Sequence, residues 1–176
     1  MSEVKTNKVS PSTGTAFTLG DSGDTFTLPS GATLTVSGTS TIASLGASTA
    51  SGTLSMADNI VSRPVVKDYG ETVNAIGAIG GGTQDIDLES GNVVTGTVDT
   101  STTTFTFSNP PTTGTAGSFT LILTNGGSQT VNWPGAVDWA GSTAPTLTTS
   151  GIDVITFTTI DAGTIWYGFA AGLDMG

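Results

Sequence analysis

Residues 117–139 carry the pattern that most constrains the fold. Apolar side chains recur at every second position over 119–123, which is the period of a strand with one buried face. A Gly-Gly pair at 126–127 follows, and glycine tolerates the positive φ angles of a tight hairpin turn. Val131 and Trp133 then continue on one face of a returning strand. We therefore predict a β-hairpin that forms the core of a C-terminal β-domain.

The composition is that of a chain rich in strands and turns. Hydrophobic residues make up 36% of the chain and charged residues only 10%, whereas charged residues are about a quarter of an average globular domain. Glycine occurs 25 times, and Thr and Ser dominate among the other residues. Apolar residues still recur at strand spacing, which distinguishes the chain from a disordered one. We predict an all-β fold with almost no helix.

The charge is strongly negative and unevenly distributed. The net charge is −10, and every residue from Asp68 onward that carries a charge is acidic. The basic residues all precede that point; they are Lys5, Lys8, Arg63 and Lys67. Such a surface repels phosphate backbones and anionic lipid. No apolar run approaches the roughly 20 residues of a transmembrane helix. We therefore predict neither nucleic-acid binding nor membrane insertion.

Cysteine and histidine are both absent from the sequence. No disulfide, zinc–thiolate site, Ser-His-Asp triad or Cys-His pair can therefore be built. The chemistry left to the chain is that of carboxylates. Asp85, Asp87 and Glu89 alternate along a predicted strand, with neighbouring carboxylates about 7 Å apart, a spacing that a glycosidase or a Ca²⁺ site would tolerate. A solvated outer strand face is the simpler interpretation, and we predict no catalytic, cofactor or metal site.

The chain divides into four segments by composition. Residues 1–14 are polar and are predicted to form an N-terminal docking arm. Residues 15–56 are predicted to be a thin, fibrous, repeat-like β segment. Residues 57–70 read as a linker, because Arg63-Pro64 favours extended backbone. Residues 71–176 are predicted to be the C-terminal β-domain.

The fibrous segment is predicted from apolar-Thr-apolar triplets that recur every eight or nine residues, separated by turn formers such as those at 29–31. Strands this short bury their side chains only by stacking on copies of themselves. We expect several chains, most simply three, to pack around a common axis, with a small β-meander as the alternative. The predicted packing residues are Phe17, Leu19, Phe26, Leu28, Leu34 and Val36.

The C-terminal domain shows many short strands with turns every eight to twelve residues. This spacing is typical of a β-sandwich or jelly roll, and we predict an antiparallel one. Besides the hairpin, the predicted strands cover 73–79, 84–89, 92–99, 102–107, 152–160 and 164–173.

Four motifs stand out in this domain: LTNGGSQTVNWP, VDWAGSTAPTLT, GIDVITFTT and GTIWYGFAAGLDM. They resemble a domain that recurs at the C-termini of tailed-phage fibre and virion structural proteins. Near the other end, GTAFTLGDSGDTFTLPSGATLTVSGT resembles segments that open marine phage structural proteins. The resemblance is to a family of proteins and covers both ends of the chain.

The resemblance implies a non-enzymatic virion structural protein, a homotrimeric fibre or head-decoration subunit. Its N-terminal part would attach to other virion proteins, and its C-terminal domain would be displayed on the surface of the capsid or tail. Because residues 1–14 lack the apolar core of a signal peptide, we expect synthesis in the host cytoplasm without one. The alternatives are an adhesin that recognises host surface glycans and, less favoured, a polysaccharide depolymerase.

Four aromatic residues are the candidates for contact with a partner: Trp133, Trp139, Trp166 and Tyr167. Aromatic rings stack on sugars, so these residues would suit a glycan site. In a β-domain with few charges, however, indoles more often anchor a core or a subunit interface. We favour the interface and keep glycan contact as the alternative.

Overall fold

The structure, a computed structural model, describes Thr25, residues 27–33, Thr35 and residues 60–176. The chain divides into two compact units, Met1–Val61 and Ser62–Gly176. In the first unit the predicted turn at 29–31 is present, because the Ala32 N–H donates to the Pro29 carbonyl at 3.0 Å.

One of the six predicted fibre-packing residues lies in the described part of the chain. Leu28 is described and is 42% exposed. The other five lie outside the described residues, as does the predicted docking arm over 1–14; the five are Phe17, Leu19, Phe26, Leu34 and Val36.

The second unit is built from strands, which confirms the all-β prediction. Within the described residues the only helical elements are three single turns of 3₁₀ helix, at Leu88–Ser90, Gly126–Ser128 and Ala140–Ser142. The strands are β1 Val73–Ile79, β2 Gly82–Asp87, β3 Val93–Val98, β4 Thr103–Ser108, β5 Gly117–Thr124, β6 Val131–Asn132, β7 Val137–Trp139, β8 Ile152–Thr159 and β9 Trp166–Met175.

Successive strands alternate between two sheets. The odd strands β1, β3 and β5 lie side by side in a six-stranded sheet of order β1-β3-β5-β8-β9-β7. The even strands β2, β4 and β6 form a three-stranded sheet in that order. Neighbours within each of these two triplets are parallel. The chain therefore winds as a coil, laying one strand in each sheet on every turn.

One turn of this coil takes about 20 residues, the lower end of the range found for solenoid repeats. Val73 pairs with Val93 in the larger sheet, and Gly82 pairs with Thr103 in the smaller one. The next turn is longer because residues 109–116 form an extra loop between the sheets. Strands β8 and β9 then add to the larger sheet in antiparallel fashion and end the parallel winding.

The predicted antiparallel sandwich or jelly roll is therefore wrong in its strand directions. The structure has two packed sheets, but five of the seven strand pairings are parallel. Only the β5–β8 and β8–β9 pairings are antiparallel. The reason is physical: alternation of buried and exposed side chains has a period of two in both kinds of sheet, so it does not encode strand direction.

The predicted hairpin over 117–139 is also wrong, although both of its strands exist. Strand β5 lies in the six-stranded sheet and β6 in the three-stranded sheet, so the two do not pair. The turn between them starts at Asn125, whose φ is 55°. Gly127 donates its N–H to the Thr148 carbonyl at 2.8 Å, and a Cβ atom on Gly127 would collide with the Leu147 carbonyl. The two glycines thus allow residues 147–148 to pack directly against the turn. After this turn the chain crosses to the other sheet.

The core lies between the two sheets and is rich in aromatic rings. Phe119 and Phe157 of the larger sheet stack with their centroids 4.8 Å apart. Phe107 reaches them from the smaller sheet, edge-on, at 5.0 Å from each. Edge-to-face and stacked pairs of this kind contribute beyond their buried area. These contacts join the sheets into one unit.

A buried carboxylate on β8 binds the end of β9 and the loop that precedes β8 by hydrogen bonds. Asp153 on β8 is 0% exposed. Its Oδ2 accepts from the Thr148 N–H, and its Oδ1 accepts from the Thr148 hydroxyl, both at 2.7 Å. Oδ1 also accepts from the Asp174 N–H at 3.2 Å. Asp174 sits at an irregularity in the β8–β9 pairing and has a φ of 54°. The carboxylate therefore ties a loop and a bulged strand to β8.

Candidate interaction surfaces

Trp166 belongs to the core of the protein. It is 2% exposed, and its ring packs edge-on against Phe107 and Phe119 at 5.4 and 5.6 Å. It lies on β9, where it pairs with Val137 of β7. Its side chain has almost no surface left for a subunit or a sugar.

Trp133 and Trp139 lie at the edge of the core and are half-buried. Trp133 stacks on Phe105 at 5.4 Å, with 20° between the planes. Trp139 meets Trp133 edge-on at 5.4 Å and Phe157 at 5.7 Å. Contacts within the protomer therefore bury much of the surface of both indoles, and part of each indole remains accessible to solvent.

Gly168 makes room for the Trp139 ring. Trp139 and Gly168 are paired residues on the parallel strands β7 and β9. A Cβ atom at Gly168 would lie 2.6 to 2.9 Å from three carbons of the indole, closer than such atoms approach. The absence of a side chain there lets the indole lie against the β9 backbone.

A shallow groove of about 310 Å³ opens beside Trp139. Its floor is formed by β9 at Gly168–Ala170, and its far wall by Thr143 and Pro145. The volume is at the lower end of the range for ligand sites. Phe169 lines the groove and is 55% exposed. Its lining therefore includes an exposed ring and an accessible indole, whose side chains start from opposite faces of the sheet, because Trp139 pairs with Gly168 and Phe169 is the next residue.

The outer face of the six-stranded sheet is almost free of charge. Its positions follow from the register, because residues paired across strands share a face. We call it the threonine face; its central residues are Thr95, Thr97, Thr120, Ile122, Val154 and Thr156. Along β9 the face continues through exposed Tyr167 and Phe169. One acidic residue, Asp138 on the edge strand β7, lies on this face because it pairs with Tyr167, and Asp174 lies in the bulge at the end of β9.

The outer face of the three-stranded sheet is different, and we call it the acidic face. Asp85 accepts from the hydroxyls of Thr106 and Ser108 on the neighbouring strand. Asp87 accepts from the Asn109 side-chain amide at 2.8 Å. The predicted outward direction of Asp85 and Asp87 is confirmed, because Ile86 between them is fully buried. Strand β2 ends at Asp87, two residues before the end of the predicted strand at 89, so Glu89 lies in a 3₁₀ turn.

Two aspartates on the surface have lowered pKa values. The Asn109 amide, together with the Glu89 and Ser90 hydrogen bonds, holds the pKa of Asp87 below its usual range. The Ile165 N–H is the main cause of the lowered pKa of Asp161, and the Thr159 hydroxyl adds to it. In both cases hydrogen bonds favour the charged form. These carboxylates are therefore acceptors that hold turns, at Leu88–Ser90 and at the β8–β9 connection.

Over 60–176 and the short described stretches before it, no group of three or more acidic residues is arranged to hold a metal ion. No helix in this part of the chain is long and apolar enough to cross a membrane.

The sequence did not single out Phe169 or Met175 as contact residues, although both are exposed on β9. The available signal in the sequence was the apolar content of the last predicted strand, where Tyr167, Phe169 and Leu173 stand at alternate positions. Which tryptophan is accessible depends on the strand pairing, and the sequence pattern does not contain that pairing.

The chain was compared with protein-family models, curated proteins and solved structures, and none of the three comparisons finds a match. The resemblance to tailed-phage structural proteins therefore stays a prediction that rests on the sequence motifs.

Proposed function

We propose that the chain is a non-enzymatic structural protein of a tailed-phage virion, a homotrimeric fibre or decoration subunit. The N-terminal part attaches it to other virion proteins, and the β-domain is displayed on the particle surface. The proposal starts from the sequence motifs at both ends of the chain.

One structural observation carries the proposal further: the two outer faces of the β-domain differ in chemistry. The acidic face satisfies its polar groups by hydrogen bonds within the protomer. The threonine face presents an uncharged sheet surface with exposed rings along β9. A subunit that has one solvent face and one association face suits an assembled particle. The closely packed core between the sheets suits a rigid displayed domain.

Two experiments test this function. Cryo-EM of the particle, with an antibody raised against residues 71–176, is expected to locate the protein on the head or tail surface. Sedimentation of the purified chain is expected to give a trimer. Absence of the protein from purified particles would refute the virion role, and a monomer in sedimentation would refute the stoichiometry.

A second candidate function is glycan recognition on the host surface. The observation that favours it is the groove beside Trp139, whose lining includes the accessible indole and exposed Phe169. Aromatic faces suit carbohydrate rings, and an adhesin needs no catalytic group.

A glycan array separates the two functions. Binding by the wild type that is lost in Phe169→Ala, with the oligomer intact, would favour the adhesin. The Phe169 ring is the better target, because truncation of Trp139 would also remove its packing on Phe157 and Gly168. Release of reducing sugar from host polysaccharide would instead revive the depolymerase.

A further inference from the structure

We infer that the threonine face is the surface through which copies of this chain associate. The inference deepens the proposed function, since it assigns a surface to the homotrimer proposed there. The partner is a second copy of the chain, and three observations select it.

The first observation is charge. The chain has a net charge of −10, so two copies repel each other at most orientations. The acidic face would place Asp85 and Asp87 of one copy against those of the next. On the threonine face the strands β1, β3, β5 and β8 carry no charged side chain at their paired positions, and the one carboxylate at a paired position of this face is that of Asp138 on the edge strand β7. Among the outer faces of the two sheets, this one meets its own copy with the least repulsion.

The second observation is the size of the face. Six strands at a spacing of about 4.8 Å, with central strands about 26 Å long, give on the order of 600 Å² per copy. Two such faces in contact would bury about 1,200 Å², which reaches the lower limit of a standard interface. In a trimer, each copy would divide its face between two neighbours, so each pairwise contact would bury about 600 Å² and the three contacts together about 1,800 Å².

The third observation is the set of exposed apolar groups along β9. Tyr167, Phe169, Leu173 and Met175 are all exposed in the protomer. Aromatic residues and Met are enriched at protein interfaces. By the register, Tyr167, Phe169 and Met175 lie on the threonine face, whose remaining side chains are mainly Thr, Val and Ile, which pack well on a flat sheet surface. The β9 residues would supply the larger contacts of the interface, and the threonines its flat centre.

A matched pair of charge insertions tests the inference. Thr156→Glu places a carboxylate at the centre of the threonine face, on the central strand β8. Thr83→Glu places the same charge on the outer face of the three-stranded sheet, on its edge strand β2. A charge without a partner is costly to bury in an interface. We expect Thr156→Glu to weaken association at least a hundredfold in sedimentation equilibrium, and Thr83→Glu to leave it within about twofold.

A second test does not depend on a destabilising change. Because the sequence has no cysteine, single Thr156→Cys and Thr83→Cys variants can be compared with a short bismaleimide crosslinker. The inference predicts covalent oligomers for Thr156→Cys and far fewer for Thr83→Cys. Near-UV circular dichroism and thermal unfolding of each variant verify that the protomer remains folded.

Each outcome decides a separate claim. If the wild type associates and Thr156→Glu associates equally well, the threonine face is not the interface, and the homotrimer still stands. If the wild type is a monomer up to about 100 μM, both the interface and the homotrimer are refuted. The virion role is tested independently, by the location of the protein on the particle.

Discussion

Substitution of Asp153 by Asn is the sharpest test of how this domain is held together. The carboxylate is fully buried and accepts three hydrogen bonds. Each of its oxygens faces a backbone N–H: Oδ2 faces that of Thr148, and Oδ1 faces that of Asp174. An amide has only one oxygen, so either orientation of Asn turns an NH₂ group towards one backbone N–H.

The expected cost follows from these contacts. The less costly orientation of Asn keeps its oxygen on the Thr148 N–H, because the Asp174 N–H retains the Thr148 hydroxyl as an acceptor at 3.1 Å. The substitution then loses the hydrogen bonds to a charged group, each of which contributes about 1.5–3 kcal/mol. Loss of the buried charge returns part of this, because an ionised carboxylate is expensive to desolvate. We expect Asp153→Asn to lower the free energy of unfolding by about 1–3 kcal/mol, which for a domain of this size corresponds to a decrease in Tm of about 5–10 °C.

Urea and thermal unfolding, followed by tryptophan fluorescence, measure this change. Asp99→Asn is the matched control, because Asp99 is exposed and, within the described part of the chain, its side chain accepts only from the hydroxyl of the adjacent Thr100. Both variants remove one negative charge. Measurements at several protein concentrations separate protomer stability from association, since an oligomer's Tm depends on concentration.

Equal effects of the two substitutions would refute the reasoning. If Asp153→Asn and Asp99→Asn differ by less than about 0.5 kcal/mol, the usual scatter of surface changes, then the buried network does not hold β9 and the loop at 147–148. A change in the urea m-value alone would also count against it, because it would report on the unfolded state.

The remaining predictions use the same assays. Thr103→Val is expected to leave stability unchanged or raise it by about 1 kcal/mol, because the buried Thr103 hydroxyl has no hydrogen-bond partner among the described residues. Thr159→Val, at an equally buried position, should cost about 1–3 kcal/mol, because it removes three hydrogen bonds. Equal effects of the two substitutions would contradict this. Gly168→Ala should displace the indole that lies against it and shift the fluorescence maximum to longer wavelength, whereas Gly135→Ala, which has open space around it, should not. The pKa of the Asp87 carboxyl, measured by NMR titration, should lie below its ordinary value of 3.8, and a midpoint at or above 3.8 would contradict this. The charged carboxylate then stabilises the fold above about pH 4, and this contribution is lost as the pH falls through the lowered pKa. Asp87→Asn should therefore reduce the loss of stability in acid.

The sequence pattern predicts strands well where burial is one-sided. Strand β5 shows buried residues at every second position, as the alternation over 119–123 requires. The outward direction of Asp85 and Asp87 was predictable for the same reason. These are properties of a single strand and its own side chains.

Strand partners were not predictable from the same pattern. The coil repeats only about every 20 residues, and the loop over 109–116 lengthens its last turn, so the repeat in the sequence is blurred. The glycine pair at 126–127 indicates a turn, but the contact with Leu147 that redirects the chain comes from 20 residues further on. The sequence pattern does not distinguish Trp133, Trp139 and Trp166, because their different burial depends on which strands surround each of them.

The position of β9 in the sheet has a consequence for how the protein is made. This last strand lies between β8 and β7, so β7 has no neighbour until β9 is in place. The shortest connection between paired strands is that from β8 to β9, whereas each parallel pair must close a loop of at least a dozen residues. Short-range pairings form first, because less chain entropy is lost.

We therefore expect folding to begin at the C-terminal end and to run backwards along the chain, against the direction of synthesis. Nascent chains that stop at residue 160 should stay protease-sensitive, while those that reach residue 176 and have cleared the ribosome should resist digestion. Protection of the shorter chains would show that the parallel coil folds without its last strand.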